Sequence, residues 1–275
     1  MKCDYHIHTS YSDDSTFEME EVVKLAIKIH LDEICFTDHV DYGVKRDWDD
    51  PQGILYKNDT VFMNVDYPSY MAQIAYLKEK YKDQIIIKAG MEFGMQVHTI
   101  PQYRRLFHAY PFDFIILSCH QVDDLEFWTY EFQQGKSQID YNKRYYQEIK
   151  NVISLYKDYS VLGHLDLIAR YDESPLPFDF IKEDIKDILK IIIKDGKGLE
   201  VNTSSYRYHL NSTQPSIEIL KLYKEMGGQI ITIGSDSHEQ SHLGAYIEET
   251  KALLKELGFT HFYTFKNMMP IAHAL

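Results

Sequence analysis

Cys3-Asp4-Tyr5-His6-Ile7-His8-Thr9 lies almost at the start of the chain. The stretch reads as a strand running into a loop, and residues two apart on a strand share a face. His6 and His8 therefore aim two imidazoles at one point, while Ile7 turns into the packing behind them. Neutral imidazole is the commonest side-chain metal ligand at physiological pH. A single His-x-His pair also occurs as ordinary polar surface, so its weight depends on what recurs downstream.

Apolar, β-branched runs alternate with amphipathic helical segments from here onward. A helix-like stretch, Phe17–His30, precedes Glu33–Thr37, which ends in Asp38-His39. The helix Tyr67–Lys82 precedes Ile85–Met91, which ends in Glu92. Phe112–Ser118 ends in Cys119-His120. The helix Tyr141–Lys157 precedes Ser160–Gly163, which ends in His164. Phe178–Lys194 precedes Gly198–Asn202, and Ser216–Met226 precedes Gln229–Gly234, which ends in Ser235-Asp236-Ser237-His238. A helix near Tyr246–Leu257 and the run His261–Phe265 close the series. Strand–helix alternation of this kind implies a parallel sheet. Seven or eight such units in 275 residues suit one closed α/β barrel, a single domain over residues 1–275. Parallel-barrel sites sit at the C-terminal ends of the strands, where these histidines and acids fall repeatedly.

The motifs Asp4-Tyr5-His6-Ile7-His8-Thr9, Thr37-Asp38-His39, Gly90-Met91-Glu92, Ser118-Cys119-His120, Gly163-His164-Leu165-Asp166 and Ser235-Asp236-Ser237-His238 resemble those of the polymerase-and-histidinol-phosphatase (PHP) superfamily of metallophosphoesterases. They span nearly the whole chain in the family's order. Asn202–Arg207 and the acidic, aromatic insertion after His120 (Asp123, Asp124, Trp128) are similar to the histidinol-phosphate phosphatase branch. The resemblance implies a distorted (β/α)7 barrel, TIM-barrel-like, and three divalent metal ions. His6, His8, Glu92 and Asp236 would hold the first; Glu92 would bridge to a second completed by His120 and His164. His39, His238 and Asp14 would hold the third. Several relatives carry histidine where this chain has Asp14, with Asp13 beside it.

Phosphomonoester hydrolysis is among the slowest uncatalysed reactions, and the implied chemistry is in-line attack by a metal-bridging hydroxide. Glu92, Asp236, His238 and Arg207 are the expected catalytic residues. Imidazole with carboxylate suits Zn²⁺, Mn²⁺ or Fe²⁺ and does not choose among them. The chain has 42 acidic against 29 basic residues, a formal charge of −13, and so attracts phosphate poorly at long range. Bound divalent ions would reverse that locally. Arg207, with Arg170 as a second candidate, is expected to grip phosphate through its planar fork. His209 and Trp128 are further substrate-binding candidates. Asp166, His209 and His242 are open alternatives for the general acid.

The bland readings are hydrogen-bonded polar residues at loop starts for the histidines, a surface ion pair for Arg207, and a turn cap for Asp38. The other reading of Asp38 is a partner that orients the cluster. Cys3, Cys35 and Cys119 read as buried thiols, and three cysteines fit a reducing cytoplasm. No signal peptide or membrane span is expected. The long connections Val40–Asp66 and Gln121–Asp140 leave ligand-bearing strands and are expected to wall the site. The leading expectation is therefore hydrolysis of L-histidinol phosphate, a small phosphate ester, in histidine biosynthesis. A PHP-type phosphoesterase acting on nucleotides or nucleic-acid ends is the alternative, and an idle metal-bound scaffold a third. Long nucleic acid is disfavoured because no basic run appears; oligomeric state is not legible.

Overall fold

The computed structural model describes residues 1–53, 55–57, 60–174, 176–208, 210 and 212–275. Seven strands, β1 (Cys3–Ile7), β2 (Glu33–Phe36), β3 (Ile86–Gly94), β4 (Phe114–Ser118), β5 (Val161–Leu162), β6 (Gly198–Asn202) and β7 (Ile231–Gly234), pair in parallel in chain order. The ring closes where Ile7 bridges Ser237: His8 N–H donates to the Ser237 carbonyl at 2.8 Å and Ser237 N–H to that of His6 at 3.2 Å. Strands covered on both faces read as continuous apolar runs, and β1, β2, β4, β6 and β7 are buried throughout.

Helices α1 (Met19–Lys28), α2 (Tyr67–Lys80), α3 (Ile100–Ala109), α4 (Gln138–Leu155), α5 (Phe178–Lys194), α6 (Ile217–Glu225) and α7 (Ile247–Glu256) connect the strands. Each turns an apolar stripe inward, as α5 does with Ile181, Ile185, Ile188, Leu189 and Ile192. Two helix starts are capped. Ser137 accepts from Asp140 N–H ahead of α4, and Asp66 from Ser69 N–H ahead of α2. Helix α3 is absent from the alternation read above because its buried stripe is thin, only Ile100, Tyr103 and Leu106, behind a proline in its first turn.

The run His261–Phe265 is not an eighth barrel unit. It belongs to β8 (His261–Lys266), which pairs antiparallel with β9 (Met269–Ala274). Asn267 and Met268 both take positive φ (51° and 65°), the conformation of a two-residue hairpin turn. Asn267 and Met268 N–H groups bond Asp113, just before β4, and Phe265 meets Phe114 at 5.0 Å between ring centres. The hairpin thus covers the N-terminal end of the barrel, opposite the histidines.

Both long connections carry structure of their own. Leu55–Lys57 pairs with Thr60–Phe62, and Gln121–Val122 with Leu125–Glu126. His39–Val40 extends the sheet, setting His39 level with Glu92. All three cysteines are free and buried. Among the described residues no helix is long and apolar enough to cross a membrane.

Candidate metal centre

Glu92, near the end of β3, is the hub. Its Oε1 lies 2.9 Å from His164 Nε2 and 3.2 Å from His120 Nε2, and it accepts from Ser118 Oγ at 2.6 Å. Its Oε2 lies 3.2 Å from both His6 Nε2 and His39 Nδ1 and 3.5 Å from His8 Nε2. Asp236 completes the His6–His8 side, with Oδ1 at 3.6 and 3.4 Å from their Nε2 atoms. Asp14 Oδ2 stands between His39 Nε2 at 3.3 Å and His238 Nε2 at 3.2 Å. All nine residues expected as ligands therefore converge on one end of the barrel.

The donor set fits cations. Among the described residues, the buried His8 Nε2 meets only the carboxylates of Asp236 and Glu92, at 3.4 and 3.5 Å, and its ring is stacked between His39 and His238 at 4.2 and 4.1 Å. Burial, then His238 and His39, hold the His8 pKa well below its ordinary value, so its lone pair is free to coordinate. Burial pushes the Glu92 pKa up, but His6 and His120 outweigh it and hold the carboxyl well below the usual range. Among the described residues, four groups bring ligand atoms within 4.8 Å of one another: His6/His8/Glu92, Glu92/His120/His164, His8/His39/His238 and His39/Asp41/His120. Several overlapping groups that could hold a metal ion thus lie side by side.

Asp13 and Asp14 part company. Asp13 faces Lys45 Nζ at 2.7 Å, whereas Asp14 faces the imidazoles. Among the described residues, Asp38 bonds amide and hydroxyl groups rather than an imidazole. It accepts from Thr9 N–H at 2.7 Å and Ser12 Oγ at 2.9 Å, fastening the loop after β1.

A cavity of about 430 Å³ opens over the cluster, with Arg170, Lys45, Phe62, Glu126, Trp128 and Tyr208 among its lining residues. Both long connections contribute to that wall. Arg170 reaches it, braced by Gln214 Oε1 and Ser204 Oγ and stacked 4.1 Å from the Tyr208 ring. Arg207 does not line the cavity. Its guanidinium donates to the Ser235 and Asp236 carbonyls at 2.9 and 2.8 Å, fixing a turn in which Asp236 holds a positive φ of 55°. His209 lies outside the described residues. Asp166 accepts from Ser216 N–H and His242 faces Glu239, and neither lines the cavity.

Three residues escaped sequence reading. Asp41 Oδ1 meets His120 Nδ1 at 2.8 Å, and Lys45 Nζ meets Asp41 Oδ2 at 3.1 Å. Asp41 repeats the two-residue spacing of His6 and His8 from His39, a signal available in the chain. Glu200 bonds His6 Nδ1 and accepts from His164 N–H at 3.0 Å. An acid inside the apolar run Gly198–Asn202 was its signal.

Imidazoles and carboxylates converging at the carboxyl ends of a parallel barrel are the architecture of a metal-dependent barrel enzyme. The chain belongs to the PHP domain family, whose model matches residues 4–204. It is 30% identical to the histidinol-phosphatase of Lactococcus lactis over 271 residues, covering 97% of this chain and 95% of that one. The probable histidinol-phosphatase of Thermotoga maritima is 26% identical, covering 94% and 93%. The crystal structure of the Lactococcus lactis histidinol phosphate phosphatase with zinc, L-histidinol and phosphate superposes with a TM-score of 0.83, covering 98% of each chain.

Proposed function

We propose that this chain is a metal-dependent histidinol-phosphatase, hydrolysing L-histidinol phosphate to L-histidinol and phosphate in histidine biosynthesis. The observation that carries the reading is Glu92, whose two carboxylate oxygens face five imidazoles from four separate parts of the chain. The Lactococcus lactis enzyme, solved with zinc and both products, supports the same chemistry here.

Three divalent ions are assigned to His6/His8/Glu92/Asp236, Glu92/His120/His164 and His39/His238/Asp14. Such ions supply bound water with a pKa of about 7 and charge for the attacking and leaving oxygens. The protein's own part is to hold that geometry and the substrate. Arg170, already braced, presents its fork to phosphate oxygens from one side of the cavity. Lys45, kept charged by Asp41 and Asp13 despite burial, offsets the charge of those two acids at the cavity wall. Arg207 acts at one remove, by fixing the turn that aims Asp236. Trp128, Phe62, Tyr171 and Tyr208, with Glu126 beside them, line the mouth around the leaving group. Residues 1–275 act as one domain, and three buried free thiols support a reducing, cytoplasmic setting.

Phosphate release from L-histidinol phosphate, measured beside nucleotides and sugar phosphates before and after chelation and metal restoration, tests the reading. High, metal-dependent kcat/KM for histidinol phosphate alone is expected. Activity confined to nucleotides would overturn the substrate assignment.

A further inference from the structure

Glu200 is a fully buried acid on β6, inside the barrel and away from the cavity. A carboxylate is not carried to such a place without partners, and its partners are specific. Oε1 bonds His6 Nδ1; Oε2 accepts from His164 N–H at 3.0 Å and from Asn202 Nδ2 at 3.4 Å. Asn202 Nδ2 in turn donates to Asp236 Oδ2 at 3.3 Å. The flanking strands make room. A Cβ at Gly234 would stand 2.7 Å from Glu200 Oε1 and 2.3 Å from His6 Cβ, and one at Gly163 would stand 3.4 Å from Oε2 and 2.5 Å from Ser118 Oγ. Gly234 thus leaves the Glu200 carboxylate its space, while Gly163 makes room chiefly for Ser118 and Ile116.

We infer that Glu200 is a positioning residue of this centre, setting the His6 tautomer and tying the His6 and His164 positions to one rigid carboxylate. The inference rests on the metal-centre reading above. Glu200 accepts the Nδ1 proton of His6, so the Nε2 lone pair is presented toward Glu92 and Asp236. A carboxylate behind a ligating imidazole also raises its basicity, and removing such a partner costs about 10- to 100-fold in metal affinity or activity. The other oxygen, Oε2, holds the His164 backbone N–H, which sets where the His164 ring enters the Glu92 side. One side chain thus couples the His6 side of the cluster to the His164 side, without lining the cavity.

The test compares wild type with Glu200→Gln, which keeps the shape and removes the charge. Both are stripped of metal and titrated with Zn²⁺ against a chromophoric chelator, and bound zinc is counted. Wild type is expected to bind zinc tightly, and the variant to lose about 10- to 100-fold in affinity at one or more sites. Its kcat for histidinol phosphate should fall with KM little changed, and excess zinc should restore part of kcat, which a generally damaged fold would not show. Unchanged zinc affinity in the variant would overturn the inference. Failure of wild type itself to bind zinc would instead overturn the metal-centre reading. Nitrogen-15 spectra of zinc-loaded wild type decide the matter should the variant not fold. A slowly exchanging His6 Nδ1–H supports the inference, and coordination of His6 through Nδ1 overturns it.

Discussion

His120 Nδ1 lies 2.8 Å from Asp41 Oδ1, so the ring's other nitrogen faces Glu92. Asp41 also holds buried Lys45 at 3.1 Å. Burial raises the Asp41 pKa, and Lys45 and His120 outweigh it, so the acid stays ionised. Asp41→Asn should lower kcat/KM by about 10- to 100-fold, since it removes the carboxylate that orients an imidazole of the proposed metal centre. It should also cost up to about 3 kcal/mol of stability. That is below the ~3–5 kcal/mol of an orphaned buried charge, because Asp13 still faces Lys45. Urea unfolding and steady-state kinetics check the two parts, and unchanged kinetics would remove Asp41 from the centre.

Asp14 and Asp13 are neighbours with different tasks. Asp14→Ala should cost about one equivalent of bound metal, because it deletes the acid between His39 and His238. Asp13→Ala should retain the full complement, since its partner is Lys45. Metal counting on the two purified variants decides the assignment, and the reverse pattern would transfer the third position to Asp13.

Trp128 and Phe62 come from the two long connections and stack across the cavity mouth, 6.5 Å between ring centres. Trp128→Ala should raise KM for histidinol phosphate about tenfold, the cost of losing roughly 1.4 kcal/mol of aromatic contact. An ester with a small neutral leaving group should be nearly unaffected. Equal losses for both esters would place Trp128 in general architecture.

Far from the site, Glu33 is buried at the start of β2, receives the Tyr5 hydroxyl and lies 4.0 Å from Lys88 Nζ. Burial, only partly opposed by Tyr5 and Lys88, raises its pKa. A carboxyl raised on folding resists ionisation in the folded state. Its penalty is absent below the ordinary glutamate value of about 4.3 and grows as pH rises toward the folded value. Glu33→Gln keeps an acceptor for Tyr5 and should melt higher than wild type near neutral pH. The gap should close as pH falls to 4. Melting curves across that range check it, and a gap that widens in acid would refute it.

The sequence alone determined the barrel order and picked out the histidines that converge at its carboxyl end. Alternation along a strand and apolar spacing along a helix are short-range, and those histidines sit at or just beyond the ends of short apolar runs. Neighbouring residues suffice to read such features. Tertiary structure decided what depends on distant partners. Asp14 faces the imidazoles because Lys45, over thirty positions away, takes Asp13. Arg170 reaches the cavity while Arg207 binds the backbone of the Ser235–Asp236 turn. Glu200 lies under His6, 194 positions away, only because ring closure brings β6 and β1 to one interior. The hairpin at the chain's end resembled another barrel strand until its reversing turn and its packing on Asp113 placed it at the opposite end. Which acid meets which base is a property of the closed barrel, where burial makes an unpaired charge costly and packing selects its partner.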